Sequence, residues 1–180
     1  MPSNEAALGL RAHSGWAVVV AVVGDVPVLR RRIEMAPGTG ERARQPYHAA
    51  AEMTLEAAQQ FLTRAEAKSV EMAAVAIREI VRDYQVVRAG VLVRSMKPLP
   101  ELAKILAAHP LIHTAEGVFF RNVLRTACGQ CSLVTHAIPE QEVAPELLAK
   151  AAAMGKVLGP PWTMDEKLSA AAAFTCYRIP

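Results

Sequence analysis

The sequence predicts an α/β domain in which a mixed sheet carries helices on both faces. The first observation is that three short apolar or alternating segments, joined by tight turns, open the chain and predict antiparallel strands. The second is that each later β-branched segment follows a helical pattern, which is typical of parallel strands. The expected order is β-β-β-α-β-α-α-β-α-α, and we expect one domain over residues 1–180.

The first three segments have distinct patterns. Ala6–Leu10 is a short apolar strand followed by the polar turn Arg11–Gly15, and Trp16–Val23 is an unbroken apolar run, which predicts a strand covered on both faces. Gly24-Asp25 predicts a type II′ hairpin turn. Val28–Met35 alternates apolar and charged residues, which indicates a strand near the sheet edge.

The middle of the chain is mostly helical. After a polar loop, residues His48–Asp83 have helical spacing, either as one long helix or as two with a break near Lys68-Ser69. Val87–Arg94 predicts a parallel strand. A helix is expected over Glu101–His109, and Pro110 is expected to end it.

The last third repeats the alternation of helix and strand. Thr114 is expected to cap a helix that stops at Gly129, and Leu133–Ile138 is expected to be a buried strand. Pro145–Met154 predicts a helix. A capping box at Thr163–Glu166 begins a final alanine-rich helix that ends near Tyr177.

Composition limits the class of protein. Hydrophobic residues make up 52% of the chain, which excludes intrinsic disorder, and the net charge is only +3. Three cysteines, an odd number, indicate reduced thiols, so we expect a cytoplasmic protein. Met1–Glu5 has no basic residue, and Trp16–Val23 is too short to cross a bilayer, so neither a signal peptide nor a membrane segment is expected.

Several segments resemble the ribonuclease H-like fold. Leu8-Gly9-Leu10, a short turn and Gly15-Trp16-Ala17-Val18-Val19 are similar to the first two strands of RuvC-type Holliday-junction resolvases and their YqgF-type relatives. Glu116–Val143, Pro160-Pro161 and Asp165–Tyr177 are similar to later parts of that family. The resemblance implies a ribonuclease H-like three-layer mixed sheet, with three antiparallel N-terminal strands and two further parallel strands.

The same resemblance implies that catalytic acids are missing. The family holds two divalent metals with carboxylates from separate strands and the last helix. We therefore expect no catalytic residue, no metal and no cofactor in this chain. The residues at the family's acidic positions are Leu10 or Arg11, Val93-Arg94-Ser95, and Leu168 or Ser169, while Asp165 and Glu166 fall in the cap of the last helix.

Two groups of residues are candidates for binding or for another chemistry. The first group consists of arginines, which could bind the phosphates of a nucleic acid, could bind an acidic protein partner, or could simply form a solvated strand face. The second group consists of histidines with a serine and a glutamate, which would have to converge in one pocket to act together. However, no orienting acid is assigned to His13-Ser14 or His48, and Pro110 is expected to separate His109 from His113. The basic candidates are Arg11, Arg30, Arg31, Arg32, Arg42 and Arg44, and the pocket candidates are His13, Ser14, His48, His113 and Glu116.

Cys128-Gly129-Gln130-Cys131 spells a CxxC motif. A redox pair would open a helix, whereas this motif is expected to close one, where the helix dipole disfavours a thiolate. We interpret the pair as two partly buried structural thiols.

Three function hypotheses follow. The first is a non-catalytic domain that acts by binding nucleic acid or a protein partner. The second is a metal-dependent nuclease, or another hydrolase, with an atypical site. The third is an assembly protein that forms a homodimer through its alanine-rich last helix.

Overall fold

A computed structural model describes residues 5–179, so most of the Met1–Glu5 segment lies outside the described residues. Five strands form one sheet in the order β3-β2-β1-β4-β5. The first three strands pair antiparallel, and β4 and β5 are added parallel to β1, which confirms the predicted mixed sheet. The strands are β1 Ala6–His13, β2 Trp16–Val23, β3 Val26–Glu34, β4 Val86–Val93 and β5 Val134–Pro139.

Helices cover both faces of this sheet, as predicted. The long helices α3 and α5 pack on one face, and α6 and α8 pack on the other. No helix within residues 5–179 is long and apolar enough to cross a membrane. The helices are α1 Glu41–Arg44, α2 Pro46–Ala50, α3 Leu55–Asp83, α4 Leu102–Leu106, α5 His109–Gln130, α6 Pro145–Ala153, α7 Gly155–Leu158 and α8 Met164–Arg178.

The unbroken apolar run of β2 is explained by burial on both sides. Val19 packs into the core shared with α3 and α5, whereas Val18 and Val20 pack into the core shared with α8. β3 is an edge strand, and it begins at Val26 because the hairpin turn is tight, with Gly24 at φ +55°.

Helix α8 lies directly on the centre of the sheet. A Cβ atom on Gly9 would overlap the carbonyl oxygen of Ser169, and one on Gly90 would lie 2.8 Å from the carbonyl oxygen of Ala172. Ala170–Ala173 are fully buried by this packing. These alanines are covered within the chain, so they are not available to a dimer interface, and the homodimer hypothesis stays a prediction.

Two helix boundaries differ from the expectation. The break in the predicted His48–Asp83 helix falls between α2 and α3, where Thr54 caps α3, and α3 continues through Lys68-Ser69. The expected Glu101–His109 helix is shorter, and α5 begins at His109 rather than after Thr114. Pro110 occupies the first turn of α5, where a backbone N–H would have no hydrogen-bond partner within the helix, so proline is tolerated there.

Candidate functional site

An arginine lies between two carboxylates at the carboxyl end of β1. The strand continues past its expected end at Leu10, so Arg11 belongs to β1 and not to the turn. Its Nη2 lies 2.7 Å from Oε1 of Glu140, which follows β5, and its Nη1 donates to Oδ1 of Asp165 in the first turn of α8. The three side chains are 19%, 24% and 21% exposed, so this cluster is mostly screened from solvent.

His13 joins the same cluster. Its Nε2 lies 3.1 Å from Oδ2 of Asp165, and its ring stacks on Trp16 with centroids 4.1 Å apart. The expectation that no acid orients His13 is therefore wrong, because the tertiary fold brings Asp165 to it. Ser14 is exposed in the turn, and it forms no side-chain hydrogen bond with the described residues.

The capping box of α8 is confirmed and explains which acid faces the cluster. Oε2 of Glu166 accepts hydrogen bonds from the backbone N and Oγ1 of Thr163, at 2.7 and 2.6 Å. The Glu166 carboxylate therefore binds within the helix cap, whereas the Asp165 carboxylate contacts Arg11. Leu168 is buried in the core beneath α8.

A basic groove lies next to the Arg11 cluster. It has a volume of about 260 Å³ and runs between the segment after β4 and one face of α5, where it is lined by Lys97, Arg121 and Arg125. None of these three cations forms an ion pair within residues 5–179. Burial, followed by the charge of the neighbouring Arg94, lowers the pKa of Arg121.

Sequence reasoning did not find this groove. The four-residue spacing of Arg121 and Arg125 places both on one face of α5, and this part of the groove could have been predicted from the sequence. That Lys97 meets them depends on how the chain leaves β4, and no local pattern predicts this. Glu140 was missed for the same reason, since it reaches Arg11 across the sheet.

The arginines of the β3 segment do not form one free cationic surface. Arg31 faces α3 and lies 3.1 Å from Glu79, whereas Arg30 and Arg32 are on the opposite face. Arg30 donates to backbone carbonyls of the segment before α8, including that of Gly159 at 2.8 Å. Arg32 is 2.8 Å from Glu34 and its Cζ lies 3.9 Å above the ring of Trp16.

The two arginines of α1 lie elsewhere. Arg42 is exposed, and neither it nor Arg44 forms an ion pair with a described residue. Arg44 lies against the turn between β1 and β2, where its Cγ would be 3.0 Å from a Cβ on Gly15.

A second polar cluster forms where α2 meets α5. His48, His109 and His113 come together there, with ring nitrogens within 4.8 Å of one another. Glu116 lies beneath them, and its Oε1 is 3.2 Å from Nδ1 of His48. The expectation that Pro110 separates His109 from His113 is wrong, because both belong to α5.

The pocket candidates therefore do not converge in one pocket. His48, His113 and Glu116 lie at the contact between α2 and α5, whereas His13 lies beside Asp165. The expectation that no acid orients His48 is also wrong. Burial raises the pKa of the Glu116 carboxyl, against the opposing effect of the hydrogen bonds from His48 and Tyr47.

The CxxC motif closes α5, as expected. Cys128 is fully buried, and Cys131 is the C-cap residue of the helix. Burial raises the pKa of Cys128 to about 12 and also raises the pKa of Cys131. Both thiols are therefore held protonated near neutral pH.

The fold is ribonuclease H-like, which agrees with comparisons to solved structures. The structure of RuvC from Thermus thermophilus in complex with a Holliday junction substrate is similar with a TM-score of 0.56 and 9% sequence identity, over 95% of this chain and 91% of that one. A second Thermus thermophilus RuvC structure is similar with a TM-score of 0.52 and 11% identity, over 94% and 92% of the two chains. No protein-family model and no curated protein sequence matches the chain.

Proposed function

We propose that this chain is a nucleic-acid-binding domain of the ribonuclease H-like fold that does not cleave its ligand by a two-metal mechanism. One observation carries the proposal. At the carboxyl edge of the sheet, Arg11 contacts two carboxylates, and beside it lies a groove with three cations that form no ion pair among the described residues.

The cations of the groove suit phosphate oxygens. Arginine presents a planar fork of donors to phosphate, and lysine acts as a point charge. Arg121 and Arg125 have no carboxylate partner among the described residues, so their charges are free to meet an anionic ligand. Contacts of this kind with the phosphate backbone of a nucleic acid give affinity without sequence specificity.

The residues at Arg11 do not fit a pair of divalent metals. Metal ions would need the oxygens of Asp165 and Glu140, but the Arg11 guanidinium already contacts both carboxylates. A second positive charge at that distance would be repelled. The arrangement supports a binding role, and no cleavage step is assigned to these residues.

The binding test uses fluorescence anisotropy with labelled four-way junction, duplex and single-stranded DNA. We expect the affinity of wild type to fall with added salt. The triple variant Lys97→Ala, Arg121→Ala, Arg125→Ala removes three cations, so the slope of log K against log salt for duplex should shrink by about 2.7, at about 0.9 per phosphate contact. Binding by wild type that is insensitive to salt would overturn the proposal.

A charge-matched control separates the groove from net charge. The control triple variant Lys68→Ala, Arg82→Ala, Arg178→Ala removes one lysine and two arginines that are exposed on α3 and at the end of α8. We expect it to keep most of the affinity. Equal losses in the two triple variants would mean that the groove is not the interface.

The catalytic part of the proposal needs a separate assay. Each DNA substrate is incubated with Mg²⁺ or Mn²⁺, and we expect no cleavage above the buffer control. Robust metal-dependent cleavage that is abolished by Asp165→Asn would contradict the proposal and favour the nuclease hypothesis.

A further inference from the structure

We propose that His48, His109 and His113 form a binding site for a Zn²⁺-class transition-metal ion. The three side chains come from two separate parts of the chain, the short helix α2 and the first two turns of α5. Among the described residues, they are the group of histidine, cysteine and acidic side chains whose ligand atoms are close enough to share one ion. This site is distinct from the Arg11 cluster and from the basic groove.

The distances suit tetrahedral coordination. Two nitrogens bound to one tetrahedral zinc ion at about 2.05 Å lie about 3.3 Å apart. Nε2 of His109 and Nε2 of His113 are 2.9 Å apart, and all three ligand atoms lie within 4.8 Å. Small side-chain rotations would therefore bring the three nitrogens onto one ion.

Two of the ligands are held by the regular geometry of a helix. His109 and His113 are four residues apart on α5, so their side chains point to the same side. Their ring centroids are 4.4 Å apart, and the ring of His48 lies 4.8 Å from that of His113. The ligand pair is preformed, and α2 supplies the third nitrogen.

Glu116 fixes the orientation of the third ligand. Its Oε1 accepts hydrogen bonds from the backbone N of Tyr47 and His48, at 2.7 and 3.0 Å, and lies 3.2 Å from Nδ1 of His48. With Nδ1 of His48 occupied in this way, Nε2 is available to a metal. A carboxylate that holds the remote nitrogen of a metal-binding histidine is a recurrent arrangement in zinc sites.

A nearby cation would stabilise the buried carboxylate of Glu116. Its side chain is 8% exposed, and its Oε2 has no hydrogen-bond partner among the described residues. A buried carboxylate with an unsatisfied oxygen is costly unless positive charge compensates it. A dication on the adjacent imidazoles would supply that charge.

The site would leave one coordination position open. Closed structural zinc sites use four protein ligands, whereas three protein ligands leave a position for water or an anionic ligand. His109 and His113 are exposed, so that position would face solvent. Histidine nitrogens favour Zn²⁺, Co²⁺, Ni²⁺ and Cu²⁺ over Mg²⁺ and Ca²⁺.

Calorimetric titration of tag-free protein with Zn²⁺ at a single fixed pH tests the site. We expect one ion per chain, and we expect His109→Ala and His113→Ala each to weaken binding by at least about 10-fold. His13→Ala and His136→Ala alter the two remaining histidines and should bind like wild type. Failure of wild type to bind, or equal binding by wild type and His113→Ala, would overturn the proposal.

Two further measurements distinguish a metal bound by these histidines from unfolding of the variants and from a metal bound by cysteine. Because His109 and His113 are exposed, their alanine variants should keep the circular dichroism spectrum of wild type, and Zn²⁺ should raise the Tm of wild type but not of these variants. The Co²⁺ complex should show visible d–d bands without a sulfur-to-metal charge-transfer band. A charge-transfer band would place the metal on cysteine and contradict the assignment.

Discussion

Replacement of Gly9 by alanine tests the close contact between α8 and the sheet. A Cβ atom at this position would overlap the carbonyl oxygen of Ser169 and would lie 2.6 Å from its carbonyl carbon and 2.8 Å from the backbone N of Ala173. Real Cβ atoms essentially never come within 3.0 Å of such neighbours. Because β1 is the central strand, with β2 and β4 on its two sides, the helix would have to move.

The magnitude follows from which atoms collide. Overpacking of a core costs about 1–3 kcal/mol, and the upper end applies here because the obstacles are backbone atoms that no rotamer change can remove. We therefore expect Gly9→Ala to lower the free energy of unfolding by about 3 kcal/mol. At about 2–4 °C per kcal/mol for a chain of this size, the Tm should fall by about 6–12 °C.

Urea denaturation followed by circular dichroism measures this loss, with the m-value as a check that the unfolding transition is unchanged. Gly129→Ala is the matched control, since a Cβ there meets nothing within 4 Å and alanine favours the last turn of α5. The control should be as stable as wild type or up to about 1 kcal/mol more stable. A Gly9→Ala protein within about 0.5 kcal/mol of wild type would refute the close packing.

Two other predictions concern the cap of α8 and the thiols. Thr163→Ala removes one half of the capping box and should lower the free energy of unfolding by about 1 kcal/mol in urea, whereas an unchanged midpoint would contradict the cap. Because burial raises the pKa of Cys128 and Cys176 to about 12, a thiol reagent at about pH 8 should leave both unmodified until the chain unfolds. The pKa of each thiol in the folded chain lies above its unfolded value of about 9, so their contribution to the free energy of unfolding is complete below about pH 9 and should decline from about pH 9 toward 12. A urea midpoint that does not change over this pH range would contradict their burial.

The capping box and the packing of α8 differ in how far the sequence reveals them. The capping box was visible in the sequence because Thr163 and Glu166 are three residues apart and act on the same helical turn. The packing of α8 on Gly9 was not visible, because a glycine in a strand is equally consistent with a bulge or with a close backbone approach.

The sequence by itself determined the order of the five strands along the chain and the mixed character of the sheet, but not every helix boundary. Alternation in β3, the apolar run of β2 and the helical spacing of α3 are local patterns, and the short connections between them leave few topologies. These patterns were sufficient to predict the edge strand, the three antiparallel strands, the two parallel strands and the two helical layers.

Only the tertiary structure decided which polar groups meet. Arg11 contacts Asp165 across 154 positions of sequence, and His48 contacts Glu116 across 68. Electrostatic contacts between side chains act over a few ångströms, so they depend on where each strand or helix ends in space. Helix α5 begins at His109 and not after Thr114, so two histidines that the sequence assigned to separate elements lie on one face of the same helix.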